Sequence, residues 1–151
     1  MPANHYHFVT RWQVRGTAEE VWAVLNDPLS LPRWWPSVYL SVVRRPDDVY
    51  ELHTRGRLPY TLRGSFRVTE SESPRRLGLE AWGDFEGRGM WTFSQQAEFT
   101  NIEYDWRIRA EKALLRYGSF LLKPIFAANH RWAMARGEES LRAELDRRRK
   151  L

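Results

Sequence analysis

From Pro124 onward, one apolar stripe recurs at helical spacing. Phe126, His130, Ala133, Met134, Gly137, Leu141 and Leu145 follow one another by three or four residues, which sets them on one face of an α-helix. Pro124 suits a first helical turn, where its missing N–H costs nothing, and no proline follows it. A helix over residues 124–149 would be about 39 Å long, well beyond the usual three turns. Such a helix cannot bury its stripe alone. It needs a broad apolar surface, and the preceding residues must supply it. Gly137 in mid-stripe weakens the helix by up to about 1 kcal/mol. It reads as close approach of another backbone, as room for a ligand, or as a tolerated glycine.

The preceding residues alternate. Phe8, Thr10, Trp12 and Val14 face one way and Val9, Arg11 and Gln13 the other, so residues 5–14 form a strand with one buried side. Thr17 and Glu20 make a capping box, which starts a helix over 18–26 with Val21, Trp22 and Leu25 inward. Asp27 and Pro28 end it, and residues 30–36 read as a short second helix between prolines. Strands follow at 38–43, 49–55, 58–68, 76–82, 88–97 and 100–109, separated by polar turns at 46–48, 71–74 and 83–87. In the last strand Ile102, Tyr104, Trp106 and Ile108 alternate with Glu103, Asp105, Arg107 and Arg109, the cleanest period of two in the chain. Residues 113–122 are ambiguous, with a helical turn leading into the long helix as one reading. Six consecutive strands on short connections imply an antiparallel meander, and the long helix is the natural cover for its apolar face.

Composition narrows the class. At 151 residues, one domain over 1–151 is expected. The absence of cysteine excludes disulfides, thiolate metal sites and a cysteine nucleophile. The N-terminus carries no apolar signal region, and no stretch reaches the roughly 18 apolar residues of a membrane span, so the expectation is a soluble, cytoplasmic protein. Part of the +5 net charge sits in Arg147, Arg148, Arg149 and Lys150. That run reads as a solvated helix end whose cations complement the dipole. Nucleic acid is not an expected partner, and a homodimer is left open.

These residues carry a resemblance to a known family. Trp12 to Val14 leads into Thr17, Ala18, Glu19, Glu20, Val21 and Trp22. Leu31, Pro32, Arg33, Trp34, Trp35 and Pro36 follow, then the stretch from Gly83 to Trp91. Tyr104, Asp105 and Trp106 and the closing helical stripe complete it. Over essentially its whole length the chain resembles the START-related superfamily that includes polyketide cyclases, birch-pollen-type allergens and lipid-transfer domains. The resemblance implies an α+β helix-grip fold. In it a seven-stranded curved antiparallel sheet wraps a long C-terminal helix, with two short helices between strands 1 and 2. It also implies a cavity between sheet and helix for an apolar or aromatic ligand.

In-phase residues that would line such a cavity are Trp12, Tyr60, Phe66, Trp91, Phe93, Tyr104 and Trp106, with Trp34 and Trp35 at a rim and Phe126, His130 and Met134 closing it from the helix. The same aromatics would equally fill a solid core. His130, the titratable group on the helical stripe, is a candidate anchor or proton carrier, or a core histidine bonded to a backbone carbonyl or a tyrosine. Tyr60 and Tyr104 are the further acid–base candidates. Asn129 and Arg136, beside Trp132, read as a solvated flank or as a carboxylate clamp at a cavity mouth. His5 and His7 share a strand face but lack a third ligand, so no metal is expected. No cofactor is expected either. His53 falls on the exposed phase. The glycines from Gly83 to Gly89 precede a strand, not a helix, so they are not a phosphate loop. No serine–histidine–acid set is legible. Three functions are compatible with these features. The first is binding or transport of a small hydrophobic, ring-containing ligand. The second is a polyketide cyclase/aromatase-type enzyme using the same cavity. The third is an interaction or membrane-surface protein using the basic C-terminus and the apolar residues 114–126.

Overall fold

The computed structural model describes residues 5–57, 61–109 and 124–150 in full, and residues 110 and 113–123 by their backbone alone. Chain order is β1 (His5–Arg15), α1 (Ala18–Leu25), α2 (Leu31–Trp34), β2 (Tyr39–Arg45), β3 (Val49–Thr54), β4 (Leu62–Glu72), β5 (Arg76–Gly83), β6 (Phe85–Gln96), β7 (Phe99–Ala110) and α3 (Ala113–Arg149). A 3₁₀ turn at Pro28–Ser30 joins α1 to α2. The sheet order is β1-β7-β6-β5-β4-β3-β2, with every pair antiparallel. The meander from β2 to β7 is closed by β1, whose His5 pairs with Arg109 and whose Arg15 pairs with Phe99. This is the helix-grip arrangement: seven antiparallel strands, two short helices after the first strand and a long final helix.

Local chemistry explains the elements. Thr17 Oγ1 accepts the Glu20 N–H at 3.1 Å while Glu20 Oε1 accepts the Thr17 N–H at 2.9 Å, so the capping box forms as the sequence predicts. The β2–β3 turn puts Asp47 and Asp48 at positive φ, a conformation aspartate tolerates. The inward phase of the strands builds two apolar clusters. Trp12, Val14, Trp34, Trp35, Trp91, Phe93 and Ile102 pack with α1 and with Met134, Leu141 and Leu145 of α3. Tyr6, Phe66, Ala81, Phe85 and Ile108 pack around Phe126 nearer the start of the described part of α3. On the opposite sheet face, ion pairs form across strands, as in Arg11–Glu103, Arg67–Glu80 and Arg109–Glu86. Among the described residues no helix is long and apolar enough to cross a membrane.

Several boundaries differ from the sequence reading. Helix α3 begins at Ala113, so Pro124 lies inside it and not in its first turn. The proline is exposed, so its ring stays clear of the packed face, and strong helix formers on either side carry the helix across the lost hydrogen bond. Strand β6 starts at Phe85, so the glycine stretch is mostly strand. The break is confined to Asp84, whose N–H donates to Arg63 O and whose carboxylate accepts the Arg63 N–H. Strand β4 runs from Leu62 to Glu72 and takes in part of the expected polar turn; Leu58 and Tyr60 lie outside the described residues.

The end of α3 is not a free basic tail. Glu144 is 4% exposed and receives five hydrogen bonds: two from Arg33 at 3.0 and 2.8 Å, two from Arg147 at 3.0 Å, and one from Arg148 at 2.8 Å. The bonds from Arg147, then those from Arg33, hold its carboxyl well below the usual carboxylate range. Arg149 in turn binds Glu20 and the Arg15 carbonyl. The last turns of α3 are thereby fastened to α2, α1 and β1.

Candidate functional site

Between the concave sheet face and α3 lies a cavity of about 200 Å³. A dry apolar cavity of roughly 150 Å³ is enough for benzene, so this one has room for one ring with substituents, or two fused rings. Helix α3 supplies Phe126, Asn129, His130, Ala133 and Met134; the sheet supplies Phe66, Leu79, Trp91, Tyr104 and Trp106; Leu25, Leu31 and Trp35 close the end near α1 and α2. Asn26 and Arg55, both exposed, mark the mouth.

A chain of ring contacts sets the shape of the wall. Trp34 packs on Trp35 at 5.5 Å, Trp35 on Trp12 at 5.7 Å, Trp12 on Trp91 at 5.4 Å, and Trp91 stacks on Tyr104 at 4.1 Å. Two glycines make the arrangement possible. A Cβ at Gly137 would lie 2.3 Å from Trp35 Cζ2, so the indole sits directly on the α3 backbone. The close neighbour at Gly137 is therefore a side chain, neither a second backbone nor a ligand. A Cβ at Gly89 would lie 2.5 Å from the Tyr104 hydroxyl, so the bare backbone of β6 lets the phenol lie across it.

Few polar atoms reach this space. Tyr39 and Tyr104 both line it, and neither hydroxyl has a hydrogen-bond partner among the described residues. Burial pushes the Tyr39 phenol up to about 12 and raises Tyr104 well above its ordinary value, Tyr104 being further affected by Tyr39 and Asp105. His130 stacks on Phe8 at 4.1 Å, and its Nε2 is buried without a partner among the described residues. Burial, then the charge of Arg131, pushes its pKa down to about 4, so the ring is neutral at physiological pH. The indole N–H groups of Trp12, Trp34 and Trp35 are buried in the same unpartnered state, and of these Trp35 borders the cavity. No aspartate or glutamate is among the described lining residues.

The mouth is held by Asn129. Its Oδ1 accepts the Arg57 N–H at 2.6 Å and lies 2.2 Å from where a Gly56 Cβ would be, while the Arg57 guanidinium rests on the Trp132 ring at 5.2 Å. Arg55 adds a bond from Nη2 to Pro36 O at 3.1 Å. The segment after β3 is thus clasped to α3 across the opening.

Of the residues expected to line a cavity, Trp35, Phe66, Trp91, Tyr104, Trp106, Phe126, His130 and Met134 border it. Trp12, Trp34 and Phe93 do not; they are 4–5% exposed and filled in around by the first apolar cluster. Trp34 and Trp35 are buried, so neither forms a rim: α2 turns both indoles inward, with its Arg33 held by Glu144. Tyr60 lies outside the described residues. Asn129 and Arg136 do not form a clamp, because Asn129 serves Arg57 and Arg136 binds Glu139 at 2.8 Å. His7 Nε2 faces Asp105 at 3.1 Å, and His53 Nε2 meets Thr61 Oγ1 at 2.8 Å. Sequence reasoning missed Tyr39 and Phe85. A bulge between Tyr39 and Ser41 breaks the period in β2, and Phe85 sat in what read as a turn. An aromatic four residues beyond Trp35, at the start of the next strand, was the available signal for Tyr39.

The geometry matches known folds over nearly the full chain. The Zhui aromatase/cyclase from Streptomyces sp. R1128 superposes with a TM-score of 0.76 at 17% identity, covering 95% of both chains. A conserved protein from Geobacillus kaustophilus gives 0.72 at 17% identity, covering 94% of this chain and 96% of that one. A START superfamily protein from Mycobacterium smegmatis gives 0.69 at 12% identity, covering 93% and 97%. No curated protein matches in sequence. The sequence itself, however, matches one family from residue 5 to residue 146, from the first strand through the helix that closes the cavity, and on that match the chain belongs to the polyketide cyclase / dehydrase and lipid transport family.

Proposed function

We propose that the protein binds or carries a small hydrophobic, ring-containing molecule in the cavity between the sheet and α3. The observation that supports this is the aromatic-walled space of about 200 Å³ kept open inside an otherwise packed core. Empty apolar space of that size costs stability, and an apolar ligand recovers it at about 25 cal/mol per Å² buried. We further read residues 1–151 as one domain working in the cytoplasm. Cross-strand ion pairs neutralise part of the outer sheet face, and we propose no nucleic-acid partner. Native mass spectrometry of the purified protein, followed by extraction, tests the reading. A co-purifying apolar molecule, or saturable binding of naphthalene-sized fluorescent probes that Ala133→Trp abolishes, is the expected result. Absence of both would overturn it.

A second reading is an enzyme of the cyclase/aromatase type. The family description and the aromatase/cyclase structural neighbour favour it, as do the unpartnered His130 Nε2 and Tyr104 hydroxyl in the cavity. Tyr60 is a third candidate. A neutral imidazole with a pKa near 4 is a weak general base at neutral pH, which is why binding is placed first. Cyclisation of a poly-β-ketone chain that is lost in His130→Ala, with ligand binding retained, would reverse that order.

A further inference from the structure

We infer that the cavity selects an uncharged ring compound carrying a hydrogen-bond-accepting oxygen, held by the hydroxyls of Tyr39 and Tyr104, and that it rejects carboxylates. The inference rests on the ring-ligand reading above and names the chemical class that reading leaves open.

The polar inventory of the described wall leans toward donors, with the unpartnered His130 Nε2 able to donate or to accept according to its tautomer. Tyr39 and Tyr104 bring two hydroxyls without partners among the described residues, and Trp35 adds an unpartnered indole N–H. Burial keeps both phenols protonated at neutral pH, so both remain able to donate. Strong acceptors are scarce. No carboxylate is among the described lining residues, and the Asn129 carbonyl is committed to Arg57. With no carboxylate among the described lining residues to take their protons, the two hydroxyls and the indole N–H are free to donate to a ketone, quinone or ether oxygen.

The same inventory disfavours anions. The charged group among the described lining residues is Arg55, which is exposed at the mouth. Arg136, the other candidate for a carboxylate, pairs with Glu139. Among the described lining residues, a carboxylate drawn past Arg55 would lose its hydration without meeting a further cation, an expensive transfer. The two tyrosines come from strands far apart in the sheet order, and both line the cavity. Tyr39 begins edge strand β2 and packs edge-on against Trp35 at 5.1 Å, while Tyr104 lies in β7 between Trp91 and Trp106. A ligand bonded to both would bridge the curl of the sheet.

The test compares three probes of similar size on the full chain by calorimetry: 1-tetralone, its hydrocarbon frame tetralin, and the anion 2-naphthoate. The expected result is 1-tetralone binding about tenfold more tightly than tetralin, the worth of one good or two modest hydrogen bonds, and no saturable binding of 2-naphthoate. In Tyr39→Phe/Tyr104→Phe, with near-UV circular dichroism confirming the fold, the tetralone-to-tetralin ratio should fall to about one. Should the double variant not fold, each single variant should lower the ratio about threefold. Equal affinities for tetralin and tetralone in the wild type, a ratio unchanged by the substitutions, or naphthoate binding as tightly as tetralone would each overturn the inference. If neither neutral probe binds, the ring-ligand reading itself falls, and this inference with it.

Discussion

The Trp35 indole lies on the bare Cα of Gly137, with Cζ2 2.3 Å from where a Cβ would stand. Gly137→Ala forces that ring away from the helix or the helix away from the sheet. Overpacking of this kind costs about 1–3 kcal/mol, against a helix-propensity gain of up to about 1 kcal/mol. The expected net loss is about 1–2 kcal/mol by urea unfolding. Trp35→Phe in the same chain should recover part of it, and a double-mutant cycle showing no coupling would contradict the contact.

Glu144 should act as a pH-sensitive fastener. Its carboxyl is held below its ordinary range in the fold, so its contribution is fully present above about pH 4.3 and drains away as pH falls toward the folded value. Glu144→Gln removes the charge that three arginines share. Because Arg33 and Arg147 retain access to water, the cost should be about 2–3 kcal/mol at pH 7, below that of a fully buried pair. Urea titrations at pH 7 and pH 3 should show the variant losing less stability on acidification than the wild type.

His130 predicts a second, higher window. Its folded pKa near 4 lies below the unfolded value of about 6.5, so the unfolded chain takes up the proton first and stability falls as pH drops from 6.5 toward 4. The loss should reach about 3 kcal/mol. His130→Phe, which keeps a ring against Phe8, should flatten the profile between those limits. An imidazole titrating near 6.5 by NMR in the folded protein would refute the assignment.

Asn129 governs the mouth more than the core. Asn129→Ala removes the acceptor for Arg57 N–H at a site open to water, so stability should drop by about 1 kcal/mol or less. Exchange of a fluorescent probe should quicken severalfold in stopped-flow measurements. Asn129→Asp keeps the acceptor and should exchange at nearly the wild-type rate. Equal rates in all three proteins would show that the clasp does not gate the opening.

The fold was legible because its signals are periodic. The alternation from Ile102 to Ile108 and the stripe from Phe126 to Leu145 report buried faces regardless of partners. The cavity was half legible for the same reason. Phase tells that Trp12, Trp91 and Phe93 point inward, but not that Trp12 and Phe93 meet other side chains while Trp91 meets empty space. That difference depends on which positions across the layer are small, Gly89 and Gly137 above all. Tyr39 escaped because an edge strand with a bulge has no dependable phase. Pro124 misled because a positional preference at helix starts was read as a boundary.

The closing of the sheet by β1 against β7, and of the cavity by α3, also sets an order of events during synthesis. His5 cannot meet Arg109 until more than a hundred residues have been made, and Leu141 and Leu145 come later still. At about 5–20 residues per second, the nascent chain spends several seconds with its tryptophan-rich concave face uncovered. Truncation within α3 should therefore be felt first as loss of soluble protein, since the helix that shapes the pocket is made after all seven strands whose concave face it shields.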